Sequence, residues 1–119
     1  MKYLLLIYTP ETTRTESERE ECIAESTQLI HDLQSKKQYV GAAPLQPVST
    51  ATSVRVRDGK RLVTDGPFAE TREQLGGFFL IEARDLDEAI DIAARIPAAR
   101  KGTVEIRPIL ELAGLPDAR

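Results

Sequence analysis

Two short runs, Tyr3-Leu4-Leu5-Leu6-Ile7-Tyr8 and Phe78-Phe79-Leu80-Ile81-Glu82-Ala83, are apolar on both alternating parities. Successive strand residues point to opposite faces, so such strands need cover on both sides of their sheet. Leu4, Leu6, Phe78 and Leu80 share one parity, and Leu5, Ile7, Phe79 and Ile81 the other. If helices cover one face only, the other set faces water in an isolated subunit. An exposed apolar sheet face marks association. The pattern therefore predicts a homodimer whose sheets meet face to face.

The rest of the chain supplies the helices. After Thr9-Pro10 and a polar loop over Thr12 to Thr15, Ser17-x-x-Glu20 reads as a capping box. Cys22, Ile23, Leu29, Ile30 and Leu33 follow at three- and four-residue spacing, an amphipathic helix of about four to five turns. Tyr39 to Ala43 reads as a strand ended by Pro44. Val54 and Val56 alternate with Arg55 and Arg57, turn at Asp58-Gly59 and return through Leu62 and Val63, a strong hairpin signal. Asp85-x-x-Glu88 opens a second helix, with Leu86, Ala89, Ile90, Ala93 and Ile96 on one face and Pro97 as its stop. Val104 and Ile106 alternate with charges in a half-buried edge strand that ends at Pro108. The order strand, helix, strand, hairpin, strand, helix, strand predicts an α+β fold: a ferredoxin-like split β-α-β sheet with an added hairpin. Residues 1–110 form one domain and 111–119 a C-terminal tail.

Composition narrows the function classes. A chain of 119 residues that is 41% hydrophobic and 29% charged suits one globular domain with a single core. The net charge of −3 comes with no basic stripe, which argues against a phosphate-tracking surface, so no nucleic-acid partner is expected; Arg55, Arg57, Lys60 and Arg61 read as a solvated hairpin. Cys22 is the single cysteine and His31 the single histidine, which argues against a disulfide framework and against a metal centre, and no cofactor motif is present. Gly76-Gly77 precede a strand rather than a helix and lack the P-loop Lys-Ser/Thr, so they read as a bulge or close backbone approach. The first apolar run is too short for a secretory segment or a membrane span, so the expected location is the cytoplasm, with no membrane partner.

The stretch Asp65-Gly66-Pro67-Phe68, with Glu70-Thr71, Gln74-Leu75-Gly76-Gly77 and Asp85-Leu86-Asp87-Glu88-Ala89, resembles the DGPF branch of the YCII-related family. The resemblance runs from Met1 to Pro108. It implies a dimeric α+β barrel of ferredoxin-like subunits, similar in architecture to muconolactone isomerases and antibiotic-biosynthesis monooxygenases. Some YCII-like proteins resemble enzymes acting on small aromatic or ring-cleavage compounds through a His–Asp pair. The DGPF branch is often encoded beside alternative sigma factors, which implies a regulatory association. Counting back from Ala43-Pro44-Leu45, the histidine of the enzymatic pattern would fall near Ser26. Serine is no general base near neutral pH unless another group activates it.

Four residues are the site candidates. Asp65, beside Phe68 at a strand end, could hold a desolvated carboxylate that moves a proton; equally, it could close an Asx-type turn while Phe68 plugs the core. Ser26 interrupts the apolar stripe of the first helix. It either bonds back to the Cys22 carbonyl or marks a polar pocket between helix and sheet, where Tyr8 could add its hydroxyl. His31 lies about 140° around the helix from Ser26 at ~100° per residue, on the wet face. The expectation is a small organic ligand held by Tyr8, Ser26, Asp65 and Phe68 in a binding protein or regulatory accessory. The alternative is an isomerase- or lyase-like enzyme using Asp65 as acid or base. A purely structural partner of a sigma factor is a third reading.

Overall fold

The two doubly apolar runs lie at the centre of the molecule. In the computed structural model, which describes residues 1–12 and 14–116, they form β1 (Lys2–Thr9) and β5 (Gln74–Glu82), paired antiparallel. Outside β5 lies β2 (Tyr39–Pro44), and outside β1 lies β6 (Thr103–Pro108), the expected edge strand. The order β2-β5-β1-β6, with every neighbour antiparallel, is consistent with a ferredoxin-like α+β fold. The two helices are α1 (Glu16–Ser35) and α2 (Leu86–Ala94). Residues 109–116 carry neither helix nor strand, and Asp117 to Arg119 of the expected tail lie outside the described residues.

Strand parity divides the sheet as the sequence predicts. Tyr3, Leu5, Phe79 and Ile81 are buried in one core with Leu29 and Leu33 of α1 and Ala89, Ile92 and Ala93 of α2. Leu4, Leu6, Phe78 and Leu80 are only half-buried. The register sets Leu4 opposite Leu80 and Leu6 opposite Phe78, so the four form one apolar patch on the uncovered face.

The hairpin forms a separate two-stranded sheet of β3 (Thr52–Arg57) and β4 (Lys60–Asp65). Asp58 and Gly59, at φ 52° and 73°, make the two-residue turn that matches the twist of the flanking strands. Val54, Val56, Leu62 and Val63 are all exposed on this arm.

Both helices differ in detail from their sequence patterns, α1 in its cap and stripe and α2 in its stripe. In α1 the capping box is Thr15-x-x-Glu18, two residues earlier than Ser17-x-x-Glu20: Thr15 Oγ1 accepts from the Glu18 N–H at 3.1 Å, and Glu18 accepts from the Thr15 N–H at 3.2 Å. Both tetrapeptides fit the pattern, and the earlier one adds half a turn. Ile23, expected on the core stripe, is 65% exposed. In α2 the cap is Asp85, as expected, and its carboxylate accepts from the Glu88 N–H at 2.9 Å. The buried stripe is Ala89, Ile92, Ala93 and Ile96, while Leu86 and Ile90 face solvent.

Close backbone approach explains two glycines. A Cβ on Gly77 would stand 2.9 Å from the Ala43 carbonyl oxygen, and one on Gly102 would stand 2.0 Å from that of Tyr8. The β1–β5 register skips between Ile7 and Tyr8, which pair with Gly77 and Leu75, leaving Gly76 as the extra residue of a bulge. No helix among the described residues is long and apolar enough to cross a membrane.

Candidate functional site

The lower half of α1 packs large side chains, Leu29 and Leu33, onto the sheet. One turn up, the same stripe carries Cys22 and Ser26, and the strand ends opposite carry Ala42, Ala43, Gly76 and Gly77. Small residues on both walls leave helix and sheet apart at this end. The result is a cleft of about 340 Å³, closed on the third side by Ile96, Pro97 and Ala98 after α2. Ile7, Ile23 and Ile30 give it apolar walls, with Thr9, Ser26 and Thr27 as hydroxyls and Arg14 at its border. No Asp, Glu or His among the described residues lines it.

Ser26 lines this cleft between helix and sheet, one of the two placements the sequence leaves open. It does not bond back to Cys22; its neighbour Thr27 makes the equivalent bond, donating to the Ile23 carbonyl at 2.7 Å. Cys22 Sγ is 3.8 Å from an Arg14 guanidinium nitrogen.

Within one subunit the other three candidates do not join Ser26. Tyr8 shares the parity of Leu4 and Leu6, so its side chain leaves the sheet on the face opposite the cleft. There it lines a second hollow of about 460 Å³ together with Phe68, Pro67, Leu45 and Leu75. Phe68 does not plug the core: it is 77% exposed, with the Arg55 guanidinium carbon 5.3 Å from its ring centroid. Asp65 ends β4 at the base of the arm, exposed and lining neither hollow. In place of an Asx-type turn, two bonds to Gly66 hold the corner: its N–H donates to the Ala51 carbonyl at 2.7 Å, and its carbonyl accepts from the Ser53 side-chain hydroxyl at 2.8 Å. Gly66 sits at φ 110°, which a side chain would resist.

The charged residues organise the outside of the cleft. Arg100 holds Glu25 with two bonds of 2.8 Å, and Lys101 lies 3.5 Å from Glu18, so α1 is tied to the segment that closes the cleft. Arg95 holds Asp32 about two turns further along α1. Arg100 keeps the Glu25 carboxyl below its ordinary range, as the Thr15 hydrogen bonds do for Glu18 and Arg95 does for Asp32. Glu73 accepts from Thr103 Oγ1 at 2.8 Å, linking the loop before β5 to β6. His31 is exposed and lines neither hollow, as the helical wheel predicts. Among the described residues no group of three or more His, Cys, Asp or Glu could hold a metal ion.

A relative of uncharacterised function from Rhizobium meliloti (strain 1021) is 37% identical over 118 residues, covering 92% of each chain. The model of the YCII-related domain matches residues 1–113, which takes in both walls of the cleft, the arm and the Asp65–Phe68 corner. By that match the chain belongs to the YCII-related family.

Proposed function

We propose that this protein binds a small organic molecule in the cleft between α1 and the sheet, and that it does so as a homodimer. The observation that carries the binding reading is the cleft itself. Its walls are apolar, its volume of about 340 Å³ lies at the small end of ligand pockets (~300–1,000 Å³), and a few hydroxyls converge on it. Its lining favours retention of a ligand over proton transfer, because the carboxylate expected to act as acid or base, Asp65, stands outside.

The dimer follows from the opposite face. Leu4, Leu6, Phe78 and Leu80 form a half-buried apolar patch that no helix of the same subunit covers. Two such faces in contact give the barrel that the family resemblance implies. The second hollow, bordered by Tyr8 and Phe68, lies on that side of the sheet and would become part of the space between subunits.

Filling the cleft tests the binding reading. Ser26→Leu extends the Leu29–Leu33 stripe by one turn into the hollow. It is expected to raise stability by roughly 0.5–2 kcal/mol, as cavity-filling changes do. A thermal-shift survey of small apolar organic compounds should find compounds that raise the melting temperature of the wild type and not that of the variant. Compounds that stabilise both proteins equally would place binding elsewhere and defeat the reading.

A further inference from the structure

We infer that the ligand of this cleft is a monoanionic amphiphile, a carboxylate whose head meets Arg14 while its apolar body lies between α1 and the sheet. This deepens the binding reading above and rests on it. Arg14 borders the cleft and also a smaller, more polar depression at the cleft's mouth; Cys22, Pro97 and Ala98 are common to both. The mouth carries three cations, Arg14, Arg100 and Lys101, and three carboxylates, Glu18, Glu21 and Glu25.

Two of the cations are committed. Arg100 engages both oxygens of Glu25, and Lys101 pairs with Glu18. Arg14 makes no ion pair among the described residues, and its one hydrogen-bond partner there is the Cys22 thiol at 3.8 Å. A guanidinium that ignores neighbouring glutamates and lies against a weak acceptor keeps its planar donor fork open to a carboxylate. Glu21, the remaining carboxylate at the mouth, counts against a doubly charged head such as a phosphate monoester.

The walls select the rest of the molecule. Ile7, Ile23, Ile30 and Ile96 bury hydrocarbon, and the cleft's 340 Å³ limits the body to a medium-length chain or a single ring. Ser26, whose hydroxyl makes no hydrogen bond among the described residues, adds one polar group part-way along the body.

The test compares matched acids and amides by calorimetric titration of the full chain: octanoate with octanamide, and 4-phenylbutanoate with 4-phenylbutanamide. In the wild type at least one acid should bind ~10-fold or more tightly than its amide, given the added strength of charge-assisted hydrogen bonds. Arg14→Gln should weaken the acid far more than the amide and so abolish that preference, with a wild-type-like circular dichroism spectrum and cooperative thermal unfolding showing that the variant is folded. Ser26→Leu should remove both. Equal affinities for acid and amide in the wild type, or a preference that survives in Arg14→Gln, overturn the inference and leave the cleft a binding site for neutral molecules. If neither acid nor amide binds the wild type, the inference fails as well. Compounds from the wider survey that still distinguish wild type from Ser26→Leu would then leave the binding reading standing.

Discussion

Lys37 occupies a backbone position made for glycine. It follows α1 at φ 59°, in the left-handed region, where a side chain crowds the backbone. Its N–H donates to the Gln34 carbonyl at 3.1 Å, and the next N–H, of Gln38, donates to Leu33 at 2.8 Å, the paired bonds of a Schellman ending. Lys37→Gly should keep both bonds and relieve the strain, raising unfolding free energy by ~1 kcal/mol in urea titration. A loss of stability would show that the lysine side chain contributes more than its backbone costs. Residue by residue, turn chemistry was legible: Asp58-Gly59 turns and Gly76-Gly77 admit a bulge and a close approach. What failed was direction. Tyr8 was grouped with Ser26, although the parity that separates Leu6 from Ile7 already sends Tyr8 to the other face. Asp-Gly-Pro-Phe names a corner without saying where its ring points, because that depends on the arm's path through space. Arg14 gives no local signal; its place at the mouth, beside carboxylates already taken by Arg100 and Lys101, is visible only once residues distant in sequence come together.

Among elements, α1 shows how a cleft arises from uneven side-chain size along one stripe. Leu29 and Leu33 were readable as core, whereas the hollow beside Ser26 needed the facing alanines and glycines of β2 and β5 to be known. Ile23 shows the limit of periodicity: it fits the spacing, yet at the end where helix and sheet stand apart it is 65% exposed. Besides the core they share through Leu29, Leu33 and Ile96, α1 and the segment after α2 are linked by a row of exposed ion pairs, Glu18–Lys101, Glu25–Arg100 and Asp32–Arg95. The three carboxyls titrate below their ordinary values of 4.5 for the glutamates and 3.8 for the aspartate. As pH falls, the unfolded chain therefore takes up these protons first. The stabilisation is present above the ordinary carboxylate range and is lost as pH drops through the folded values. Exposed pairs contribute little each, so the effect is modest. The melting temperature should fall between pH 6 and pH 3, and the double variant Glu25→Gln/Asp32→Asn should fall less steeply over that interval. An identical pH profile in the variant would show that these pairs do not couple α1 to its neighbour.

At the scale of the whole molecule, the shape bears on the proposed homodimer. The radius of gyration is 16.2 Å, against ~13–14 Å for a compact domain of this length, and one axis extends only 22 Å while the others reach 47 and 45 Å. The flat form has two causes: a sheet covered on one side, and an arm that stands away from the core. A two-stranded hairpin is marginal in water by itself, and every residue of β4 is exposed. Val54 and Val63, directly paired across the arm, therefore need a surface that one subunit does not offer. The uncovered sheet face needs one as well, and its polar border is in place where Leu4 and Leu6 pair with Arg107 and Glu105 of β6. Sedimentation equilibrium at micromolar concentration should give twice the 13.2 kDa of one chain. Leu6→Lys sets an unpaired ammonium at the centre of the proposed contact, where burial costs several kcal/mol, and should weaken association at least ~100-fold. Leu86→Lys, on the solvent side of α2, changes charge equally and should leave association intact. A wild-type chain of 13.2 kDa, or a Leu6→Lys chain that still pairs, would mean that this apolar face stays open to water and that the arm finds its cover elsewhere.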